Sequence, residues 1–243
     1  MSSEEKAHWA DELRRHLGRA KALRAVANAD PRMSADRLRL RGWQADRLAA
    51  TYRDLLDSER YRAAARFFLT DLYGPKDFSE RDHEVERILP TLSATLPASG
   101  IRTIALAIEV DALSEELDAA MVAELRRARA MAKISGKAYA EAYRRCGHRA
   151  QRELQLKLIG EVGEALAALT RKPLVRAALR VMRMPAKLAG LIELHTFLEH
   201  GYNAFHRMGD PSEFLDTITT RETVILRQLY DGAARPFDIP DNA

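Results

Sequence analysis

Apolar residues recur at spacings of three and four along almost the whole chain, and no stretch alternates apolar and polar residues with the two-residue period of a half-buried strand. Each such segment has one apolar face, and a helix with one apolar face must bury it against other helices. Asn-Gly hairpin turns are absent as well. The pattern predicts an all-α fold: a single bundle of about ten helices packed against antiparallel neighbours through short connections. Residues 1–231 read as one helical domain and residues 232–243, with Pro236 and Pro240, as a loose tail.

Helix boundaries follow from local punctuation. Ser2 with Glu5 has the form of a capping box and opens a helix whose stripe is Trp9, Leu13, Leu17, Ala20, Leu23 and Ala27. A second helix is predicted from Ser34, with Leu38, Ala45, Leu48, Tyr52 and Leu55 inward. A third is predicted from Glu59 to Tyr73, stopped by Gly74 and Pro75. Ser79 is expected to cap a fourth that continues past Pro90, and the segment from Ile101 to Ala132 reads as one long helix or two joined at Ser114. Ser135 opens a short helix closed by Gly147, and the next carries Leu154, Leu158, Val162, Leu166 and Leu169. Pro173 and Pro185 each read as helix openers. The final pair is predicted as Pro185 to Met208 and Pro211 to Tyr230, with Asp210 as cap.

With 47% hydrophobic residues in 243, the chain has enough apolar material for a large core. The apolar run from Ile104 to Leu113 is broken by Glu109 and Asp111, so no segment is read as crossing a membrane. The N-terminus lacks the basic head and apolar middle of a secretory signal, which predicts a cytoplasmic protein. The lone Cys146 agrees with a reducing compartment and reads as a packing residue. A net charge of +4 invites comparison with nucleic-acid binders, but 39 basic and 35 acidic residues are interleaved, which argues for solvated helix faces.

The block from Phe67 to Phe78 (FFLTDLYGPKDF), followed by SERD at 79–82, RKPL at 171–174, FLEHGY at 197–202 and Arg221-Glu222, resembles an uncharacterised bacterial all-helical family. The likeness spans most of the chain. It implies one helical unit and brings no activity, cofactor, partner or functional residue with it. By its own chemistry the aromatic block is a helix end packed into a core corner.

Among groups able to carry chemistry, the final helix pair stands out. Leu188, Leu191, His195, Leu198, Tyr202 and Phe205 form one stripe, and Leu215, Ile218, Glu222, Ile225 and Leu229 another. Folded back about Gly209 and Asp210, the pair brings His195 and Glu222 to similar heights, about 20 Å from the turn. A buried imidazole and carboxylate in contact can form a general base or a ligand set, or can simply satisfy each other. Glu80 and His83 repeat the Glu-x-x-His spacing of carboxylate-bridged metal bundles, but only once and in a first helical turn, where a solvated role suffices. Gly-rich phosphate loops, nucleophile elbows and Cys-x-x-Cys or His-Glu-x-x-His motifs are missing.

The expected function is therefore that of a non-enzymatic module that binds a protein partner or itself, with no metal or cofactor assigned. The alternative is a small-molecule or metal-binding bundle, an enzyme in one form, with His195 and Glu222 in its pocket, Tyr202 and Phe205 as walls and Glu199 nearby. A nucleic-acid regulator using Arg37, Arg39, Arg41 and Arg47 is the weakest reading.

Overall fold

The computed structural model describes residues 3–72, 74 and 78–239. Among them the chain is all-α, with no strand. The helices are α1 (Ser3–Ala29), α2 (Pro31–Thr51), α3 (Arg53–Asp57), α4 (Arg62–Phe67), a π-helical turn (Phe68–Leu72), α5 (Ser79–Thr95), α6 (Ala98–Arg127), α7 (Gly136–Cys146), α8 (Arg149–Thr170), α9 (Pro173–Leu188), α10 (Ile192–Met208) and α11 (Ser212–Asp231). No helix among the described residues is long and apolar enough to cross a membrane.

The two longest helices, α1 and α6, lie against each other and form the spine, with α5 beside α1 and α8 beside α6. Leu13, Leu17, Ile101, Ala105 and Ile108 close the seam where α1, α5 and α6 meet. The far side of α6 packs through Met121, Val122 and Leu125 onto α2, α7 and α11. A third apolar cluster joins Tyr52, Tyr61, Phe67, Phe68, Phe205 and Phe214. Each aromatic ring buried there removes a large apolar area from water.

The segment left as one helix or two is one, because Ser114 is not a cap. Its hydroxyl donates back to the Val110 carbonyl at 2.7 Å and accepts from Gln155 of α8 at 2.7 Å. Helix α2 starts three residues before Ser34: Asp30 accepts from the Arg32 amide at 2.9 Å, with Pro31 in the first helical position. Along α2, Leu40 is in the core and Leu38 is exposed, contrary to the predicted stripe. Leu154 is exposed likewise. Ser79 begins α5 without capping it, since the capping position belongs to Phe78. Pro185 opens no helix; it lies inside α9, and the break falls at Ala189–Leu191, where Gly190 takes φ of +64°. Ser135 caps α7 through the Ala138 amide at 3.1 Å, as the sequence predicts, whereas the capping position of α11 belongs to Pro211, and the predicted cap Asp210, one residue earlier, accepts from the Ser212 amide at 3.2 Å.

Ser2 of the predicted capping box, and Tyr73 and Pro75 of the predicted stop, lie outside the described residues. Gly74 is described, and a Cβ there would collide with the Thr70 carbonyl oxygen at the end of the π-helical turn. The described part of the tail makes contacts with the bundle: the Phe237 ring lies 5.7 Å from Trp43 and 6.1 Å from Tyr139, and Gln228 donates to the Asp238 carbonyl at 3.0 Å.

Candidate functional site

The structure separates the residues that the sequence brings together. Glu222, half-buried on α11, accepts from Arg47 at 2.6 Å and from the Tyr52 hydroxyl at 2.9 Å, both across the chain on α2 and its C-cap. Burial, and then the Glu222 carboxylate, push the Tyr52 phenol above its ordinary range, so it acts as a neutral donor. His195 is buried on α10, its Nε2 makes no hydrogen bond, and no bond or ion pair joins it to Glu222. The reason is packing. Helices α10 and α11 do not lie face to face beyond their turn: α10 packs on α4, α5, α8 and α9, while α11 packs on α7 and α8.

The other candidates divide in the same way. Phe205 is a core ring, 1% exposed, packed near Phe68. Tyr202 is buried and stacks on His206 at 5.5 Å. Tyr202 and Glu199 also line a notch of about 200 Å³ between α9 and α10, together with Arg176, Leu179, Arg180 and Asn203. Glu80 and His83 are exposed at the start of α5. Burial raises the Cys146 thiol above its ordinary value, which keeps it protonated and a poor nucleophile. Among the described residues no three His, Cys, Asp or Glu side chains converge as a metal site.

The residues that periodicity did not single out are the buried charges. Arg24 of α1 reaches Asp82 of α5, Asp111 of α6 at 2.5 Å and Glu115 of α6 at 3.0 Å. Glu115 also receives Arg41 at 2.5 Å and Arg37 at 3.4 Å from α2, and Arg41 continues to Asp118 at 3.1 Å. Arg81 joins Asp82 and Asp111, with its guanidinium 4.3 Å from the centre of the Phe78 ring. Four arginines thus face four carboxylates, and α1, α2, α5 and α6 are held in one register. Every carboxylate in the set is already paired, so the network is a structural clasp rather than a vacant ligand set.

Burial by itself raises the carboxyl of Asp111, but the guanidiniums of Arg81 and Arg24 outweigh it and hold Asp111 below the ordinary aspartate value of 3.8. A depressed carboxylate stabilises the fold fully above its unfolded value and loses that contribution as pH falls through the lower folded one. The melting temperature is therefore expected to fall from about pH 4 downward, and less steeply in Asp111→Asn. A flat profile from about pH 5 to pH 3 in the native chain contradicts an ionised clasp.

A second long-range contact opens α10, which has no side-chain cap of its own. The buried Glu84 of α5 accepts from the amides of Leu194 at 2.7 Å and Glu193 at 3.3 Å. Glu84 thereby sets the height of α10, and with it the notch beside α9.

Helix α9 is the element that the fold leaves open. It packs against α8 and α10, and among its described side chains Ala186 alone is buried. Leu174, Val181, Met182, Met184 and Leu188 are 53–83% exposed, half of the large apolar side chains found exposed among the described residues. From 165 to 192 the chain has six basic residues and no acidic one, which leaves 33 basic against 35 acidic elsewhere. The excess positive charge is therefore local to α9 and its lead-in, and the even interleaving expected from the whole chain fails here. Arg176, Arg180, Arg183 and Lys187 make no hydrogen bond or ion pair through their side chains with a described residue. By contrast, Arg37, Arg41 and Arg47, named for nucleic-acid contact, are spent on internal carboxylates, and Arg39 bonds Asp36 and the Met131 carbonyl.

No curated protein and no solved structure matches the chain. One family model does, over residues 23–236, from the last two turns of α1 to the packed tail. That range takes in the clasp, α9 and the notch, and by it the chain belongs to the family described as a domain of unknown function, DUF8198.

Proposed function

We propose that this protein is a non-enzymatic interaction module that docks a partner protein on the outer face of α9. The observation that carries the reading is the exposure of Leu174, Val181, Met184 and Leu188 on one helix beside four cations that pair with no described anion. An apolar stripe of that kind marks an association surface, and charge at its edge adds orientation and selectivity. The Glu84 contact serves this role by setting the height of α10, one of the helices on which α9 rests.

The test is site-specific photo-crosslinking in the native cell. A crosslinker at Val181 and another at Leu188 are expected to trap the same partner, identified by its peptides, while one at the exposed Leu154 of α8 traps none. An adduct of twice the chain's own mass, or trapping no different from Leu154, overturns the reading.

A further inference from the structure

The occupant of the α9 face is, we infer, an acidic amphipathic helix of the partner protein; this rests on the docking role proposed above. Along α9, Arg176, Arg180, Arg183 and Lys187 follow one another at spacings of four, three and four and form one ridge. Leu174, Val181 and Leu188, seven apart, form another. Between the two ridges lie Ala177 and Met184. Met184 is three residues from Val181 and Lys187 and four from Arg180 and Leu188, so it neighbours both ridges. Whatever rests on Met184 meets apolar side chains on one hand and cations on the other.

The shape of the occupant follows from the angles. Arg176 and Arg183 each stand two residues beyond a member of the apolar ridge, which turns them about 160° away from it. A flat surface such as a bilayer, laid on Leu174, Val181 and Leu188, leaves those cations pointing to the opposite side. A helix lying alongside α9 over Ala177 and Met184 has the apolar ridge on one side and Arg180 and Lys187 on the other, and meets both when it carries apolar residues on one flank and Asp or Glu on the next. The notch beside the basic ridge gives such a carboxylate a place to enter. Arg176 and Arg180 form its α9 wall, and Glu199 on the α10 wall makes no ion pair with either. The recognised chemistry is thus a row of carboxylates at helical spacing beside an apolar ridge.

The probes are two synthetic helices of about 16 residues, the length of α9, alike in a leucine ridge and differing only in a flank of Glu or of Lys. Binding to the whole protein is read by fluorescence anisotropy, alongside sedimentation with phosphatidylserine vesicles. The Glu helix is expected to bind at least about tenfold more tightly than the Lys helix, and more weakly as salt rises. Arg176→Glu with Arg180→Glu is expected to remove about tenfold of that affinity, with circular dichroism unchanged because both side chains are exposed. Equal binding of the two helices overturns the inference, as does sedimentation with the vesicles when the Glu helix fails to bind. The crosslinking test separates this failure from that of the docking role. A Val181 adduct that persists in the Arg176→Glu, Arg180→Glu protein sinks the acidic helix and keeps the docking face, whereas no adduct in either protein sinks both.

Discussion

Replacing Glu115 by alanine is expected to lower the stability of the protein by roughly 3–5 kcal/mol, the cost of leaving buried charges without their partner. Glu115 is 1% exposed and faces Arg24, Arg37 and Arg41 at once, so its loss strands guanidinium charge between α1, α2 and α6. In a chain of this size the corresponding fall in melting temperature is about 10 °C. Glu115→Gln keeps the shape and part of the hydrogen bonding, and is expected to be destabilising as well, because the charge is what the arginines lack. Pairing Glu115→Leu with Arg24→Met is expected not to recover the loss, since Arg37 and Arg41 still lack Glu115 and the buried Asp82 and Asp111 then lose Arg24. Chemical denaturation of the three variants checks this. A loss below about 1 kcal/mol for Glu115→Ala means that water already screens the clasp.

The second large effect separates a core ring from a pocket wall. Phe205→Ala is expected to cost about 3–5 kcal/mol, the range for truncating a buried aromatic residue. The ring is 1% exposed and lies in the apolar cluster with Phe68, Met208 and Phe214. The sequence reading made Phe205 a wall beside His195 and Glu222; on that reading, truncation loses a ligand and spares the fold. The structure predicts the reverse, and a Phe205→Ala protein that unfolds at the denaturant concentration of the native chain contradicts it.

Most of the helices are legible from the chain alone. The cap at Ser135 and the closing Gly147 act within a few residues of themselves, so local rules find them. The misreadings share a cause as well. Pro185 looks like a helix start because a proline lacks an amide, but α9 is open to solvent and accommodates the lost bond inside the helix. Leu38 and Leu154 look inward by spacing, yet they stay 39% and 41% exposed. Arg24 could have been found: it stands four residues after Ala20 and three before Ala27, on the stripe of α1, just as Asp111, Glu115 and Asp118 follow at four and three along α6. An apolar-only reading of a helix face passes over a charge placed on that face, although such a charge demands a partner elsewhere.

The pairing of His195 with Glu222 failed for a different reason. Heights along two consecutive helices are a local quantity, but contact between them depends on whether the helices stay together past the turn. Here each found other neighbours, and Glu222 found Arg47 and Tyr52, far away in the sequence.

By itself, then, the sequence determined the all-α class, most helix boundaries and the basic stretch around α9, because periodicity, caps and charge counts are properties of neighbouring residues. Only the tertiary structure decided which charges went inside and which apolar face stayed out. Those outcomes depend on what lies across from each helix, and a buried arginine is tolerable only where distant segments bring carboxylates to it, just as an exposed leucine remains so only where no helix arrives to cover it.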